Sequence, residues 1–492
     1  MLIEYNPLFC KLTDTPSSVI DFISSSYYAE ITTELVNYYK TPQNLPVFLS
    51  SNGFFCSKED SIYVYSGFIK DIYTYACTVT SVKLIIKDNC KSKTINNPLP
   101  SFLYSHQELI IKRCLKHKRG IIKSPTGSGK SMCIATLSQL FIDQGLSVLI
   151  TVPTLTLQRQ MLEDIKKYYE LCNKEVPSIG MVSSAFSNSS FGSITIGLIP
   201  SLLKEQYISS LADIDVLITD ECHTAINRSC LTILERCLQR SYTLGFSATP
   251  WLNNVSHYLL QGFFGNTFVD IKEQQMIQQE VIMEPQFVFY KSPTTFIPPR
   301  ITEASQKISS LSQASKFHMF NAAYDFAIVN NRGRNKLICT IAKKMIDANS
   351  GPLLIIVKKI KGENSHGELL QNMMSSMGID LPILSGYTKK KDKQLLLESL
   401  KNESLPGCIA GPKIISAGVS INSLSCIILA AAGKSDTDFI QRVGRLLRKK
   451  QGKTRPLVVD FYDTQLWFSR HSQNRIDTAK STYGLHNVII NN

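Results

Sequence analysis

The stretch RGIIKSPTGSGKSMCIATLSQLF (residues 119–141) predicts a strand, a glycine-containing loop and a helix in immediate succession. The apolar run RGIIK is typical of a buried strand, and SMCIATLSQLF is typical of a helix. The loop between them, SPTGSGKS (residues 124–131), lies where a phosphate-binding loop must lie. Its first position is Ser124 where the usual pattern has glycine, and an ordinary glycine-rich turn is the alternative.

The residue types of this loop suit a phosphate ligand. Gly127 and Gly129 allow backbone N–H groups to close around phosphate oxygens, and the N-terminus of the following helix adds positive potential. Lys130 can reach the terminal phosphates of a nucleotide, and the hydroxyl of Ser131 can bind Mg²⁺. The residues expected to hold the nucleotide are Ser124, Pro125, Thr126, Gly127, Ser128, Gly129, Lys130 and Ser131.

A second strand, IDVLITD (residues 214–220), ends in the adjacent carboxylates of Asp220 and Glu221. Taken alone, this pair could be a structural ion cluster, a metal site, a surface acidic pair or half of a nucleotide-hydrolysis site. Its position after a strand and downstream of the loop favours hydrolysis. Asp220 is then expected to hold Mg²⁺, while Glu221 orients and deprotonates the attacking water. The two neighbours can act differently because the chain turns off the strand between them.

Two further motifs point to the same chemistry. SAT (residues 247–249) follows another strand, and QRVGRLLR (residues 441–448) places Gln441, Arg442, Arg445 and Arg448 at helical spacings. Arginines from a second domain can stabilise charge on a phosphoryl group in transfer. A solvated basic helix is the alternative for this motif alone.

The length, net charge and cysteine content of the chain limit the class of protein to which it can belong. A chain of 492 residues predicts two to four domains. The net charge of +14 suggests a polyanionic partner, and residues 1–95 contribute none of it, since they hold 8 Lys against 9 Asp plus Glu. The 13 cysteines form no CxxC pair, so we expect reduced thiols rather than disulfides or a zinc ribbon. With no signal peptide and only short apolar runs, we expect a cytoplasmic protein and no membrane insertion.

Short apolar runs alternate with helical patterns from residue 102 onward, which predicts parallel sheets buried on both faces. The pattern pauses and resumes after about residue 281, so we expect two α/β domains in series. Residues 1–90 predict a small α+β module, with strands in SIYVYSGF (61–68) and YACTVTSVKLIIKD (75–88). The expected division is an N-terminal accessory module (1–95), a first domain (96–280), a second domain (281–470) and a C-terminal tail (471–492).

SPTGSGKS, VPTLTLQRQ, DECH, SAT and QRVGRLLR, in this order and spacing, resemble the motifs of superfamily-2 helicases over residues 102–463. The resemblance implies two tandem RecA-like domains that use ATP and Mg²⁺. It assigns catalytic roles to Glu221, Lys130, Arg445, Arg448 and Gln441, and nucleotide contacts to Gln107 and Gly418 in addition to the loop. It assigns coupling of hydrolysis to movement to His223, Ser247 and Thr249. It assigns contacts with DNA to Pro153, Thr154, Gln160 and Ser416.

Closer detail resembles the phage UvsW-type DNA helicases, which are related to XPB-like translocases. The stretches that carry this resemblance are NRGRNKLICTIAKKM (331–345), ISAGVSI (415–421) and GRLLRKKQGKT (444–454). It implies ATP-driven remodelling of branched DNA in replication, recombination or repair: fork regression, branch migration and R-loop unwinding. One departure is Ser420, where many relatives have an aspartate that holds the ribose.

The partner expected from this resemblance is branched, forked or single-stranded DNA, with replication or recombination proteins as further partners and a monomer as the working form. Three alternatives remain open at this point. The chain could be a duplex translocase for repair, transcript release or restriction, or an RNA helicase. It could also be a catalytically silent nucleic-acid clamp, although the intact Lys130, Asp220 and Glu221 argue against a silent protein.

Overall fold

The chain forms two compact units in the computed structural model. Unit 1 comprises residues 1–125 and 129–271, and unit 2 comprises residues 126–128 and 272–492. The structure describes residues 1–5, 9–27, 55–58, 61–79, 85–88, 95, 97–185, 190–237, 240–250, 254–306, 312–362, 365–412, 421–433 and 436–491.

Unit 1 begins with a small α+β module. Its five-stranded sheet has the order β3-β4-β2-β1-β5, in which only the β1–β5 pair is parallel. The strands are β1 (Leu2–Tyr5), β2 (Phe9–Thr13), β3 (Phe55–Lys58), β4 (Ser61–Tyr65) and β5 (Ile85–Asp88), and the helices are α1 (Ser17–Tyr27) and α2 (Ile69–Val79). The structure thus confirms the expected α+β module.

The strand expected over residues 75–88 is wrong in its first part. Helix α2 runs through Val79, and strand β5 begins only at Ile85. The β-branched composition suggested a strand, but Ile72 and Ala76 recur at i, i+4 and are both buried. That helical periodicity packs one face of α2 against the sheet, so tertiary packing overrides β-propensity here.

The main sheet of unit 1 has seven parallel strands in the order β12-β6-β11-β10-β7-β9-β8. Its strands are β6 (Arg119–Lys123), β7 (Val148–Val152), β8 (Ile179–Val182), β9 (Ile194–Leu198), β10 (Val216–Asp220), β11 (Tyr242–Ser247) and β12 (Thr267–Asp270). Its helices are α3 (Ser105–His117), α4 (Lys130–Ile142), α5 (Leu155–Leu171), α6 (Ile199–Leu202), α7 (Ile208–Ala212), α8 (Arg228–Arg236) and α9 (Asn254–Phe264). The central strands β7, β10 and β11 are buried at every position, as expected for a sheet covered on both faces.

The N-terminal module packs on helix α9 of the same unit. The Tyr65 and Phe263 rings meet edge-on with centroids 5.6 Å apart. The Asp71 carboxylate accepts hydrogen bonds from the side-chain amides of Gln261 (2.7 Å) and Asn266 (2.8 Å). Buried side chains of the module and of the seven-stranded part of unit 1 form one continuous hydrophobic core. The module is therefore built into unit 1.

Unit 2 contains a second seven-stranded parallel sheet, in the order β15-β16-β14-β17-β18-β13-β19. Its strands are β13 (Gln286–Lys291), β14 (Leu353–Ile356), β15 (Ile383–Leu384), β16 (Gly407–Ala410), β17 (Cys426–Leu429), β18 (Leu457–Tyr462) and β19 (Val488–Asn491). Its helices are α10 (Glu273–Gln278), α11 (Pro299–Gln306), α12 (Gln313–Tyr324), α13 (Arg332–Asp347), α14 (His366–Ser376), α15 (Lys390–Lys401), α16 (Asp436–Leu446) and α17 (Phe468–Tyr483). The two parallel, helix-flanked sheets confirm the tandem RecA-like fold.

Residues 471–492, expected as a tail, carry most of helix α17 and the edge strand β19. Strand β19 pairs with β13, and Ile476, Ala479 and Tyr483 of α17 are buried. This segment is therefore part of the fold of unit 2, because its apolar side chains cover the sheet.

Two buried ion pairs tie the helices of unit 2 to its sheet. The Arg334 guanidinium on α13, fully buried, donates to the Asp463 carboxylate (2.8 Å) and to the backbone carbonyl of Ala430 (3.0 Å). Arg475 on α17 makes the same kind of pair with Asp460 (2.7 Å). In both pairs a planar guanidinium meets a carboxylate away from water, so neither partner can be lost alone without a large cost in stability.

Within the part of the chain that the structure describes, no helix is both long enough and apolar enough to span a bilayer. The described cysteines, among them Cys222 and Cys408, are free thiols, and most are buried.

Candidate nucleotide site

The loop of residues 124–131 joins strand β6 to helix α4, as the sequence predicts. Gly127 and Gly129 have φ values of +89° and +80°, a left-handed conformation that glycine adopts without a steric penalty. The Ser124 N–H donates to the backbone carbonyl of Ser247 (3.0 Å), so the loop is tied to the end of strand β11. The Lys130 ammonium folds back and donates to the carbonyls of Ser124 and Pro125, both at 3.1 Å. Lys130 thus lies against the backbone of the first two residues of the loop.

Gln107 lies against the same loop. Its Nε2 is 3.5 Å from the backbone carbonyl of Gly129, and its Oε1 accepts a hydrogen bond from the Tyr104 N–H (3.0 Å). A Cβ added at Gly129 would lie 2.3 Å from the Gln107 Nε2. The φ of Gly129 therefore favours glycine, and an added Cβ would also displace the Gln107 amide from the loop.

The two carboxylates diverge at the end of strand β10. Asp220 is the last residue of the strand, and Glu221 has φ +50° and ψ +48°, which is left-handed backbone. The Glu221 N–H donates to the Asp220 Oδ1 (3.0 Å), and the Thr224 hydroxyl donates to the Glu221 carbonyl (2.9 Å). These two hydrogen bonds stabilise a conformation that costs a non-glycine residue about 1 kcal/mol or more. The sharp turn gives the neighbouring carboxylates different directions.

Asp220 is buried beside a second acid and a lysine. Burial, and next the Glu221 carboxylate, raise the pKa of Asp220 to about 7, while the Lys130 ammonium opposes that rise. A buried carboxylate with too little positive charge around it is a good ligand for a divalent cation. Mg²⁺ usually takes only one or two protein ligands and completes its shell with phosphate and water. The pair of Ser131 and Asp220 therefore fits Mg²⁺.

His223 lies between Glu221 and the SAT motif. The His223 Nδ1 lies 3.3 Å from the Glu221 Oε2 and 2.9 Å from the Ser247 hydroxyl. The Ser247 hydroxyl also accepts from the Thr249 N–H (3.1 Å). Because Ser247 also receives the Ser124 N–H through its carbonyl, the phosphate loop, the acidic pair and the SAT motif meet at one edge of the sheet.

The cysteine at the third position of the DECH motif, Cys222, is explained by packing. It is buried, and a Cβ built at Gly245 on strand β11 would lie 3.1 Å from the Cys222 Cβ and Sγ. The small thiol and the glycine allow the turn after β10 to sit close to the next strand. Burial also raises the pKa of the Cys222 thiol well above its usual range, so this cysteine is a packing residue.

The predicted DNA-contacting residues of unit 1 follow strand β7. Thr154 is the N-cap of helix α5, and its hydroxyl accepts from the Leu157 N–H (3.3 Å). Pro153 and Gln160 are half-buried, whereas the neighbouring Gln158 is fully buried and donates to two strand carbonyls. Pro153 and Thr154 lie at the carboxyl edge of the parallel sheet, the edge that also carries the nucleotide loop.

The remaining predicted residues belong to unit 2. Gln441 and Arg445 lie four residues apart on helix α16, and Arg448 follows two residues after the helix ends. All three are half-buried. Ser416, Gly418 and Ser420 lie outside the described residues.

One set of polar residues was not anticipated. The loop after strand β14 carries Lys358, Lys359 and Lys361, and these line a cavity of about 560 Å³ together with Tyr387. The available signal was three lysines within four positions directly after the buried strand LLII.

Two family models match the chain. One is described as "Type III restriction enzyme, res subunit" and covers residues 101–252, and the other is "Helicase conserved C-terminal domain" over residues 334–450. Their order is that of the two RecA-like sheets.

The chain belongs to the superfamily-2 helicases.

Its relatives within this superfamily include viral proteins. It is 26% identical over 375 residues to a protein of Sulfolobus islandicus filamentous virus that is named as a helicase, covering 74% of this chain and 64% of the relative. It is 23% identical over 362 residues to the "ATP-dependent DNA helicase uvsW" of Enterobacteria phage T4, covering 71% and 66%. This helicase therefore spans just under two thirds of the length of each of these relatives.

A solved structure supports the fold. The Saccharomyces cerevisiae protein Dbp5, bound to RNA and ADP BeF₃, superposes with a TM-score of 0.54 at 14% identity, covering 78% of this chain and 89% of that one. At this identity the likeness concerns the fold alone.

Proposed function

We propose that this helicase is an ATP-driven DNA motor that remodels branched DNA by fork regression, branch migration and R-loop unwinding. The observation that carries the proposal is the position of His223, whose Nδ1 lies 3.3 Å from the Glu221 carboxylate and hydrogen-bonds to the Ser247 hydroxyl, while a backbone bond joins Ser247 to Ser124 of the phosphate loop. A catalytic carboxylate beside a histidine that bonds to Ser247, to which the nucleotide loop is also tied, suits hydrolysis coupled to movement. The name of the phage T4 relative supports DNA as the substrate.

The hydrolytic step follows from the residues of unit 1. Backbone N–H groups of the loop bind the phosphates of ATP, and Lys130 turns from the carbonyls of Ser124 and Pro125 to the terminal phosphates. Glu221 accepts a proton from the attacking water while the oxygen of that water bonds to the γ-phosphorus. The bond from the γ-phosphorus to the bridging oxygen of ADP breaks in the same step. Ser131 and Asp220 would hold Mg²⁺, which would supply charge neutralisation at the phosphate oxygens.

The other residues have supporting roles in this proposal. Gln107, held at the loop by Gly129, contacts the nucleotide base, and Gly418 contacts the nucleotide. Arg445 and Arg448 act as arginine fingers, and Gln441 joins them in sensing the γ-phosphate. These roles follow the motifs of the superfamily.

In this proposal, His223 and the SAT motif couple ATP hydrolysis to movement on DNA. Loss of the γ-phosphate changes what Glu221 contacts, and His223 passes that change to Ser247 and then to Thr249. Pro153, Thr154, Gln160 and Ser416 contact the phosphates of the DNA without reading its sequence. Because such contacts release counterions, DNA affinity should fall steeply as salt rises.

The test is a steady-state ATPase assay with no nucleic acid, single-stranded DNA, duplex DNA, a synthetic fork and RNA. Glu221→Gln removes the general base and should lower the turnover rate by about 10²- to 10⁴-fold. The matched control is Glu170→Gln, which changes an exposed carboxylate on helix α5. We expect the strongest stimulation by the fork, followed by strand displacement in a second assay. Stimulation by RNA alone would refute the DNA assignment, and full activity in Glu221→Gln would refute the catalytic one.

A further inference from the structure

A pocket in unit 2 combines lysines with an exposed tyrosine at the carboxyl end of strand β14. We name it the lysine–tyrosine pocket and define it by Lys358, Lys359, Lys361 and Tyr387, which line a cavity of about 560 Å³. The carboxyl ends of parallel strands are where α/β folds bind ligands. The cavity is large enough for one nucleotide.

Among the residues that the structure describes, the charged ones that line this cavity are the three lysines and Asp325. Lys359 is ion-paired with Asp325. The Lys361 ammonium lies 5.6 Å from the Tyr387 ring centre. The Lys358 ammonium lies over the rings of Tyr324 (5.2 Å) and Phe320 (5.9 Å), which line a neighbouring cavity. Cation–π contacts orient an ammonium group without neutralising it. Lys361 can therefore pair with an anion in this cavity.

Tyr387 provides a large apolar face next to these charges. Its side chain is 77% exposed. Its position is set by the backbone, because the Tyr387 N–H donates to the Ser385 hydroxyl (3.1 Å) and the Ser385 N–H donates to the Thr388 hydroxyl (3.0 Å). An exposed aromatic face beside lysines is the combination that binds single-stranded nucleic acid, where bases stack and phosphates pair with cations.

The lysine loop is held in place by the start of helix α14. The Gly367 N–H donates to the Lys359 carbonyl (3.0 Å), and a Cβ at Gly367 would lie 2.7 Å from the Ile360 carbonyl oxygen. Ser365, the N-cap of this helix, also lines the cavity. The N-terminal end of the helix adds positive potential to the lysines. The pocket is therefore preformed for an anion.

We propose that the lysine–tyrosine pocket binds one nucleotide of single-stranded DNA, with the base stacked on Tyr387 and the adjoining phosphate held by Lys361. This rests on the proposed function as a DNA motor and adds that the motor grips an unpaired base as well as the phosphate backbone. A duplex hides its base faces, so the pocket favours a strand that has already been separated.

The test is fluorescence anisotropy with a labelled single-stranded oligodeoxynucleotide and with a strand of the same length that carries abasic sites. Tyr387→Ala should bind the normal strand about tenfold more weakly and the abasic strand as the unchanged protein does, because only stacking is lost. Tyr387→Phe keeps the aromatic face and should restore affinity. Phe296→Ala removes another exposed aromatic of unit 2, 75% exposed, and should have no effect. Lys361→Ala should lower the salt slope of binding by about 0.7.

Equal binding of the normal strand by Tyr387→Ala and the unchanged protein would overturn the proposal, as would an equal loss on both strands. Binding of deoxyadenosine monophosphate that depends on Tyr387, with strand binding unaffected, would also overturn it, because the pocket would then serve a free nucleotide. If the unchanged protein binds single-stranded DNA but DNA never stimulates its ATPase, the motor proposal fails and the pocket stands. If it binds no DNA at all, both fail.

Discussion

Gly67→Ala tests how firmly the N-terminal module is built into unit 1. A Cβ at this position would lie 1.7 Å from the carbonyl oxygen of Gln261 and 2.8 Å from that of Gly262. Both atoms belong to the backbone of helix α9, so no side-chain rotation can relieve the clash. The helix or the module must retreat by about 1.7 Å before the contact reaches the ordinary 3.4 Å.

The cost follows from the contacts that such a retreat breaks. The Asp71 carboxylate would lose its bonds to Gln261 (2.7 Å) and Asn266 (2.8 Å), and hydrogen bonds to a charged group contribute about 1.5–3 kcal/mol each. The edge-on pair of Tyr65 and Phe263 adds about 0.5–1.5 kcal/mol. We therefore expect the docked module to lose about 3 kcal/mol or more of stability relative to the separated state.

The assay is hydrogen exchange read by mass spectrometry, because a chain with two units does not unfold in one step. Exchange in α9 and β4 should speed up about 100-fold, the factor that corresponds to about 3 kcal/mol. Gly386→Ala is the control, since its added Cβ would meet nothing within 4 Å. Asp71→Ala should give part of the effect. Unchanged exchange in Gly67→Ala would show that the module is not held by this backbone contact.

Three further outcomes are expected. Asp463→Leu leaves the buried Arg334 without its carboxylate, so the free energy of unfolding of unit 2, measured in urea, should fall by about 3–5 kcal/mol. Adding Arg334→Met to the same chain should recover most of this loss, and a loss under about 1 kcal/mol in Asp463→Leu would contradict the reasoning. Burial, with Arg334 nearby, lowers the pKa of His366 to about 3, so the fold favours the neutral ring and loses stability as pH falls below about 6.5. Between pH 7 and 5 the unfolding free energy should drop by about 2 kcal/mol more than in His366→Gln, and equal slopes would refute the buried neutral ring. Gly129→Ala pushes a Cβ against Gln107 and should abolish binding of a fluorescent ATP analogue, so retained binding would exclude this loop as the nucleotide site.

The parallel sheets could be predicted from sequence because their signal is local. A strand buried on both faces must be apolar along most of its length, and VLI at the start of β10 and LLII at β14 show this directly. The phosphate loop was predictable for a similar reason, since the strand, the glycines and the helix are contiguous. Helix α2 was missed because its β-branched composition competed with its i, i+4 periodicity, and only packing decides between the two.

The docking of the N-terminal module could not be predicted, because its contacts join distant parts of the chain. Asp71 meets Gln261, 190 positions away, and no motif marks Gly67 as a residue whose missing Cβ admits the backbone of α9. The lysine–tyrosine pocket was missed for the same reason. Its lysines lie 26 to 29 residues before Tyr387 in sequence, and they come together because β14 and β15 share a sheet.

The turn at Glu221 explains how two adjacent carboxylates of the candidate catalytic site can have different roles. The order of motifs assigns different roles to two adjacent carboxylates, but side chains that follow each other in a regular strand differ only in which face they point to. The left-handed backbone at Glu221 removes that restriction, and it leaves the Asp220 carboxylate buried while the Glu221 carboxylate reaches His223. Because the Thr224 hydroxyl bonds to the carbonyl of the strained residue, the DECHT pentapeptide contains both the reactive groups and the support for the turn that separates them.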